Sequence, residues 1–293
     1  MKKIFKKIFV RLTIYLSRGH GFGKKFPFIS VIYKRIFKIV KENNKPVKVT
    51  IPNIGDFQMY VDSEDSLGLS VFGIYEKFET DIISNIIKKN QTVLDIGANI
   101  GYYTIILSKL VGDGGMVFAF EPDSENFRIL KKNIELNGCK NVIAEQKAIG
   151  EKSTRAKLFL NPENKGDHRM FDSGDGRVSA DVNLMSIDDY FNYNIPQINF
   201  IKIDVQGFEL FVLRGMNGIL SQNNKKSMIM EFWPEGIALA GENPLLILEI
   251  LKKNRFSIFE LDESHRSKNQ INDIDRWYEE KKNESINLLC VKE

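Results

Sequence analysis

Cysteine is almost missing from this chain of 293 residues: Cys139 and Cys290 are the only two, far apart and without metal-ligand spacing. That excludes a disulfide framework and a structural zinc site, and it fits a reducing compartment. Proline is scarce, with eight residues, and internal repeats and low-complexity linkers are lacking. Histidine occurs only at positions 20, 168 and 265, so few side chains can titrate near neutral pH without a perturbing environment. Acids are nearly absent from the first 50 residues, which hold 14 Lys or Arg and only Glu42, a net +13; the remainder holds 28 basic and 37 acidic residues, a net −9. The two ends of the chain therefore differ in kind. The hydrophobic content of 43% excludes a disordered chain and suffices for a sizeable core, one large α/β domain with an appendage.

What is present is organised around TVLDIGANIGYYT, residues 92 to 104. Thr92 to Ile96 suits a strand buried on both faces of a parallel sheet. Gly97 and Gly101 then remove Cβ atoms at a tight turn, and a helix follows whose free N–H groups would attract an anionic or strongly polar ligand. The dinucleotide fingerprint needs G-x-G-x-x-G, whereas this chain has G-x-N-x-G with Asp95 two positions ahead of it. That departure favours S-adenosylmethionine over a nicotinamide, because its methionyl part carries a carboxylate for the helix N-terminus and an ammonium for Asp95. An ordinary glycine turn is the alternative. A second apolar run, Met116 to Phe120, closes on Glu121, 20 residues after Gly101, where an acid can accept both hydroxyls of a ribose. This acid supports a nucleoside without choosing between the two cofactors.

Taken together, DIGANIGYYT, FEPDSENF and IKIDVQGFELFVLRG resemble the FkbM-type S-adenosylmethionine-dependent methyltransferases over about residues 75 to 231. The resemblance implies an α/β fold, a seven-stranded, mostly parallel Rossmann-like sheet, and S-adenosylmethionine as cofactor. It implies methyl transfer to a hydroxyl, often on a sugar, glycan or specialised metabolite. Asp95, Gly97, Asn99, Gly101, Glu121 and Asp204 are the expected cofactor-binding residues. Tyr75 and Glu76 form the tyrosine–acid pair that lies near the cofactor in the family, although helix-start chemistry explains the pair equally. The family usually has a second acid where this chain has Gln206, which leaves Asp204 and Glu209 as the acids of that motif.

The rest of the chain divides as a basic amphipathic segment over residues 1 to 45, a leading hairpin and helix over 46 to 91, and the methyltransferase domain over 92 to 293. In residues 1 to 18, Phe5, Ile8, Phe9, Leu12 and Leu16 share a helical stripe, with Lys2, Lys3, Lys6, Lys7 and Arg11 mainly elsewhere. The segment is too short and charged to span a bilayer and lacks a cleavage site. It suits peripheral binding to an anionic membrane from the cytoplasmic side, or packing on the enzyme's own surface. Nucleic acid is not expected as a partner, because the cations are interleaved with aliphatics.

Residues 47 to 62 flank Asn53-Ile54-Gly55-Asp56 and read as a hairpin. Residues 66 to 89 read as one helix, 123 to 137 as another with Phe127, Leu130, Ile134 and Leu136 or its neighbours toward the sheet, and 208 to 220 as a third. Residues 151 to 185 are Gly, Asp, Asn and Arg rich and read as a long functional loop. Within it GDHR resembles a family motif, which makes His168 and Arg169 candidate acceptor-binding residues, together with Tyr75 and Glu209. His168 is the expected general base and Asp204 the second catalytic candidate, because a base near neutral pKa matches removal of a hydroxyl proton. The last strand, residues 286 to 291, is expected at a sheet edge in an antiparallel hairpin. A nicotinamide-dependent oxidoreductase and a catalytically silent membrane-associated binding protein are the competing readings.

Overall fold

The computed structural model describes residues 45 to 293. The helix expected over residues 1 to 18, and with it the membrane reading, lies outside the described residues. Among the described residues no helix is long and apolar enough to cross a membrane.

Strands β1 (Val47–Ile51) and β2 (Gly55–Met59) pair antiparallel as the leading hairpin. The expected single helix over 66 to 89 is two, Leu69–Phe72 and Lys77–Ile86. Gly73 and Glu76 separate them, with φ of 80° and 38°, a left-handed backbone that no α-helix continues through.

The main sheet has eight strands rather than seven. β3 (Thr92–Ile96), β4 (Met116–Phe120), β5 (Val142–Glu145), β9 (Phe200–Ile203) and β10 (Lys226–Phe232) run parallel. β11 (Ser257–Asp262), β12 (Ser267–Gln270) and β13 (Ile286–Lys292) complete the order β12-β11-β13-β10-β9-β3-β4-β5. The additional strand is β12, a four-residue hairpin arm on β11. β13 is antiparallel, as expected, but lies between β10 and β11 and not at an edge. Its residues Ile286, Leu288, Leu289 and Cys290 are all buried, and a strand covered on both faces belongs inside a sheet.

The loop expected over 151 to 185 is largely a hairpin. β7 (Thr154–Leu160) and β8 (Val178–Met185) pair antiparallel, and β6 (Ala148–Ile149) joins β8 to form a second, three-stranded sheet. Alternating burial along β8 drives this: Val182 and Leu184 pack with Leu158, Ala148 and Phe208 as a small separate core. Residues 151 to 153 and 161 to 177 remain as loop. The helix expected over 208 to 220 is broken at Gly215 and Met216 into Glu209–Arg214 and Asn217–Ser221.

Two apolar layers sandwich the main sheet. One face packs Leu94, Ile96, Ile201 and Ile203 against Leu210, Leu213, Leu248 and Leu251 of helices Glu209–Arg214 and Leu245–Lys253. The other packs Val93, Val117, Phe200 and Ile229 against the leading hairpin and helices Lys77–Ile86 and Tyr102–Val111. Helix Ser124–Leu136 is capped by Asp123, whose side chain accepts from the N–H groups of Glu125 and Asn126. Leu130 is buried with Phe127 and Ile134 packed beside it, as expected, and Leu136 at the helix end is 39% exposed.

Two positions tie the layers together. Asn133 is fully buried; its Oδ1 accepts from Tyr60 N at 2.7 Å, and its Nδ2 donates to Tyr60 O at 3.0 Å and Ile100 O at 2.7 Å. Gly97, with φ of 83°, ends β3 where a Cβ would overlap the carbonyl oxygen of Asp204 at the end of β9. Asn133→Ala is expected to destabilise the protein by about 2–4 kcal/mol in urea unfolding, because three buried backbone groups lose their partners. Gly97→Ala is expected to lower the melting temperature further than Gly241→Ala, which also has positive φ, at 87°, but open space around it.

Candidate functional site

The sheet order reverses between β3 and β9, and a ligand cavity is expected at the carboxyl ends of such a pair. A cavity of about 940 Å³, open mouth included, lies there. Its walls include Gly97, Asn99, Glu121, Ala148, Ile149, His168, Lys202, Asp204 and Gln206. Tyr75 and Asp95 also line it, so seven of the ten expected positions share one space, while Gly101, Arg169 and Glu209 lie outside its wall.

The glycine loop closes on itself. Gly97 N and Ala98 N both donate to Phe120 O, Gly101 N donates to Ala98 O, and Ile100 N donates to Asn99 Oδ1 at 2.7 Å. Asn99 N donates to Glu121 Oε2 at 2.8 Å. The N–H groups from Gly97 to Gly101 are thus satisfied internally, ahead of the helix that opens at Tyr102. Gly101 does not line the cavity; a Cβ there would press into Leu130, so its small size and φ of 92° serve packing against helix Ser124–Leu136. Glu121 is 5% exposed and also accepts from Asp123 N at 2.9 Å, latching the β3 and β4 loops together. Burial pushes its carboxyl up to about 8 despite those two donors.

Beyond β3 the wall turns acidic. Asp95 is 1% exposed, accepts from Thr104 Oγ1 at 2.5 Å, and is pushed by burial to about 6. Lys202, also 1% exposed, lies under Asp204; its Nζ is 3.2 Å from Glu79 Oε1 and 3.7 Å from Asp204 Oδ2. Neither contact has hydrogen-bonding geometry, so its N–H donors lack a protein acceptor. Burial alone would lower this ammonium's pKa, but Glu79, Asp204 and Glu76 outweigh it and hold it well above the ordinary value. Gln206 Nε2 donates to Asp204 Oδ1 at 2.7 Å and to Glu231 Oε2 at 2.9 Å, and Ser285 Oγ donates to Glu231 Oε1 at 2.6 Å. Tyr103 OH donates to Glu76 Oε2 at 2.9 Å. Tyr75 stands edge-on to Tyr102 and Tyr103 beside them.

Glu209 is fully buried outside the cavity wall, where its Oε1 accepts from Gly207 N at 3.1 Å and Val205 N at 3.3 Å. It holds the turn after β9 in shape, which corrects the expected acceptor contact. Arg169 is likewise displaced from the role expected of it. Its guanidinium pairs with Asp167 at 2.8 Å and stacks on Trp233, 4.7 Å from the ring, outside the cavity wall. His168 does line the cavity, but its Nδ1 accepts from Asn161 N at 3.0 Å. Burial lowers its pKa, so the ring is neutral and carries its proton on Nε2, which is buried without a protein partner. A ring whose one lone pair is already engaged can donate into the cavity; it cannot take a proton there. This argues against the expected general-base role.

Lys202, Glu79 and Glu231 were missed by sequence reasoning. The signal available was Lys202 itself, a lone cation inside the apolar run NFIKID, where a buried charge demands partners.

Comparison with known proteins places this geometry. The family model for the methyltransferase FkbM domain matches residues 95–283. Methyltransferase 1 of Beauveria bassiana is 26% identical over 145 residues, 43% of this chain and 58% of that protein. Hexuronic acid methyltransferase AglP of Haloferax volcanii is 28% identical over 186 residues, 60% of this chain and 73% of that protein. Among solved structures, an S-adenosylmethionine-dependent methyltransferase from Aquifex aeolicus is 15% identical, with a TM-score of 0.42, over 74% of this chain and 92% of that one. The nicotinamide alternative is thereby set aside, and S-adenosylmethionine is the cofactor of the family to which the cavity's residues correspond. With the family model covering well over half of its length, the chain belongs to the FkbM methyltransferase family.

Proposed function

We propose that this chain is a methyltransferase that uses S-adenosylmethionine to methylate a hydroxyl of a sugar, glycan or specialised metabolite. The reading rests on one observation above all: a ribose-competent acid, Glu121, and an acid-and-amide wall, Asp95, Asp204 and Gln206, share one cavity at the sheet's switch point. In this reading Glu121 holds the ribose, with the remaining lone pairs of its two oxygens. Asp95 and Asp204 take the methionyl ammonium. Lys202, whose N–H donors lack a protein acceptor, takes the carboxylate that the closed glycine loop cannot.

The sulfonium supplies an already activated methyl group. The chain's own residues have to align the acceptor oxygen and receive its proton, and alignment supplies most of the rate. Asp204 is the base in this proposal: its carboxylate lines the cavity, and Gln206 fixes its Oδ1. His168 Nε2–H orients the acceptor as a donor, and Tyr75 forms the apolar side of its seat. A sugar acceptor is supported by the name of the Haloferax volcanii relative, a hexuronic acid methyltransferase. The basic stripe of residues 1 to 18 supports a place at the cytoplasmic face of an anionic membrane.

Incubation with labelled cofactor and a broad panel of saccharides and hydroxylated metabolites is expected to label a hydroxyl. Asp204→Asn should then lower turnover by about 10²–10⁴-fold, and His168→Phe should raise the acceptor KM more than it lowers kcat. Label found on an amine, or full turnover in Asp204→Asn, would reject the assignment. Calorimetry should show Glu121→Ala weakening cofactor binding by about 1.5–3 kcal/mol for each charge-assisted bond lost. Flotation with anionic liposomes should be lost when residues 1 to 18 are removed, and unchanged flotation would reject the tether.

A further inference from the structure

Behind the cavity wall at Asp95, Lys202, Asp204 and Gln206 lies a cluster with more carboxyl groups than the ammonium of Lys202 can neutralise. Asp95 comes from β3, Asp204 from the end of β9, Glu231 from β10, and Glu76 and Glu79 from the start of helix Lys77–Ile86. They are fastened by Lys202, Gln206, Ser285 and Tyr103 at the distances given above, and Asn287 Nδ2 reaches Glu76 Oε1 at 3.4 Å. Glu209 adds a buried carboxyl behind Asp204, and Glu263, on the turn after β11, bears on Glu76 from outside. The phenols of Tyr75 and Tyr103 stay neutral, burial raising both well above their usual value. A neutral His168 adds no charge.

Carboxyl groups that are buried together, with one ammonium between them, keep protons that they would lose in water. Burial, reinforced by Glu79, pushes Glu76 up to about 7; burial and the nearby Asp204 and Glu209 hold Glu231 well above the carboxylate range. A cation entering the cavity changes that balance. It favours the ionised forms, lowers their pKa and expels protons. The methyl donor carries one positive charge more than its demethylated product, and the two are otherwise nearly the same shape.

We infer that the acids Glu76 and Glu231, which flank Asp204, read the sulfonium charge: they release protons when the methyl donor binds and take them back when transfer leaves the neutral thioether. The inference rests on the cofactor assignment made above and adds how substrate and product are told apart. The sign follows from linkage. Each group has a higher pKa with the product, or with nothing bound, than with the cationic donor, so the donor's affinity rises with pH through the neutral range while the product's changes less. Above neutral pH the network therefore favours the donor, and the product leaves as the network reprotonates.

Calorimetry of the full chain with S-adenosylmethionine and with its demethylated product, in two buffers of different ionisation enthalpy, reads this directly. The wild type should release roughly half a proton or more beyond the product's value near pH 7, and the donor-to-product affinity ratio should rise about fivefold or more from about pH 6 to 8. Because the free ligands also titrate, the comparison is with Glu76→Gln and Glu231→Gln, in which both differences should shrink. Ser285→Ala, at an exposed position, keeps the test usable if those variants fail to fold; it removes a donor that favours ionised Glu231 and should move the midpoint to higher pH. If both ligands bind the wild type and the proton counts and ratio match those of the Gln variants, the inference fails alone. If neither ligand binds, the cofactor assignment fails with it.

Discussion

The ammonium of Lys202 is the charge on which the site depends. It sits on β9 in the middle of the sheet, 1% exposed, with its Nζ 5.1 Å from the ring centroid of Tyr103 and Glu79 as its nearest carboxylate. Phe200, Lys202 and Asp204 alternate onto one face of that strand, so one residue in a hydrophobic layer is exchanged for a cation. A buried ion pair adds little net stability, because desolvation offsets most of the attraction, but removal of one partner is costly. Without Lys202, Glu79 would be an unpaired acid in the core, and Asp204 and Glu76 would face only like charge. The acidic end of the cavity can exist because this single cation is held beneath it.

Glu121 organises the opposite end by a different means. It accepts one backbone N–H from each of two loops, at Asn99 and at Asp123, so the group suited to a ribose is also the fastening of the cavity's rim. Each of its oxygens retains capacity for another donor. The two ends of the cavity thus differ in physics. At Glu121 a carboxyl is held by neutral backbone dipoles, whereas at Asp204 carboxyls are held by a cation and an amide. A ligand that carries hydroxyls at one end and charge at the other matches that division.

Most of the sheet was legible because its strands are apolar runs closed by an acid or a glycine: Thr92–Ile96, Met116–Phe120 and Phe200–Ile203 fall where the pattern puts them. β7 and β8 were hidden by the polar stretch between them, although Leu158, Val182 and Leu184 already alternate. The position of β13 was hidden because strand order depends on burial of both faces, which no local pattern reports. In the site, Asp95, Glu121 and Asp204 could be read from their places after strands. The tautomer of His168 could not, since it depends on a backbone N–H seven residues away at Asn161. Nor could the closure of the glycine loop, because whether N–H groups are free is decided by Phe120 and Glu121 across the sheet.

The segment over residues 161 to 177 supplies Lys165, Gly166, His168 and Met170 to the cavity wall. Asp167 gathers Arg169, Arg177 and Asn161 into one cluster, and Arg177 also donates to the Asp167 carbonyl. Lys165 N donates to Ser66 Oγ at 2.9 Å, its carbonyl accepts from Asn126 Nδ2 at 2.9 Å, and its Nζ pairs with Glu125 at 3.0 Å. Stacking of Arg169 on Trp233 fastens the same segment to the end of β10. These ties reach three separate parts of the chain, so the wall that carries His168 is built before any acceptor arrives. An acceptor meeting such a wall loses less affinity to ordering of the protein, and its fit is judged against fixed donors. Changes confined to this segment can therefore alter the wall that carries His168 while the parts of the cavity held by Glu121 and Lys202 stay as they are.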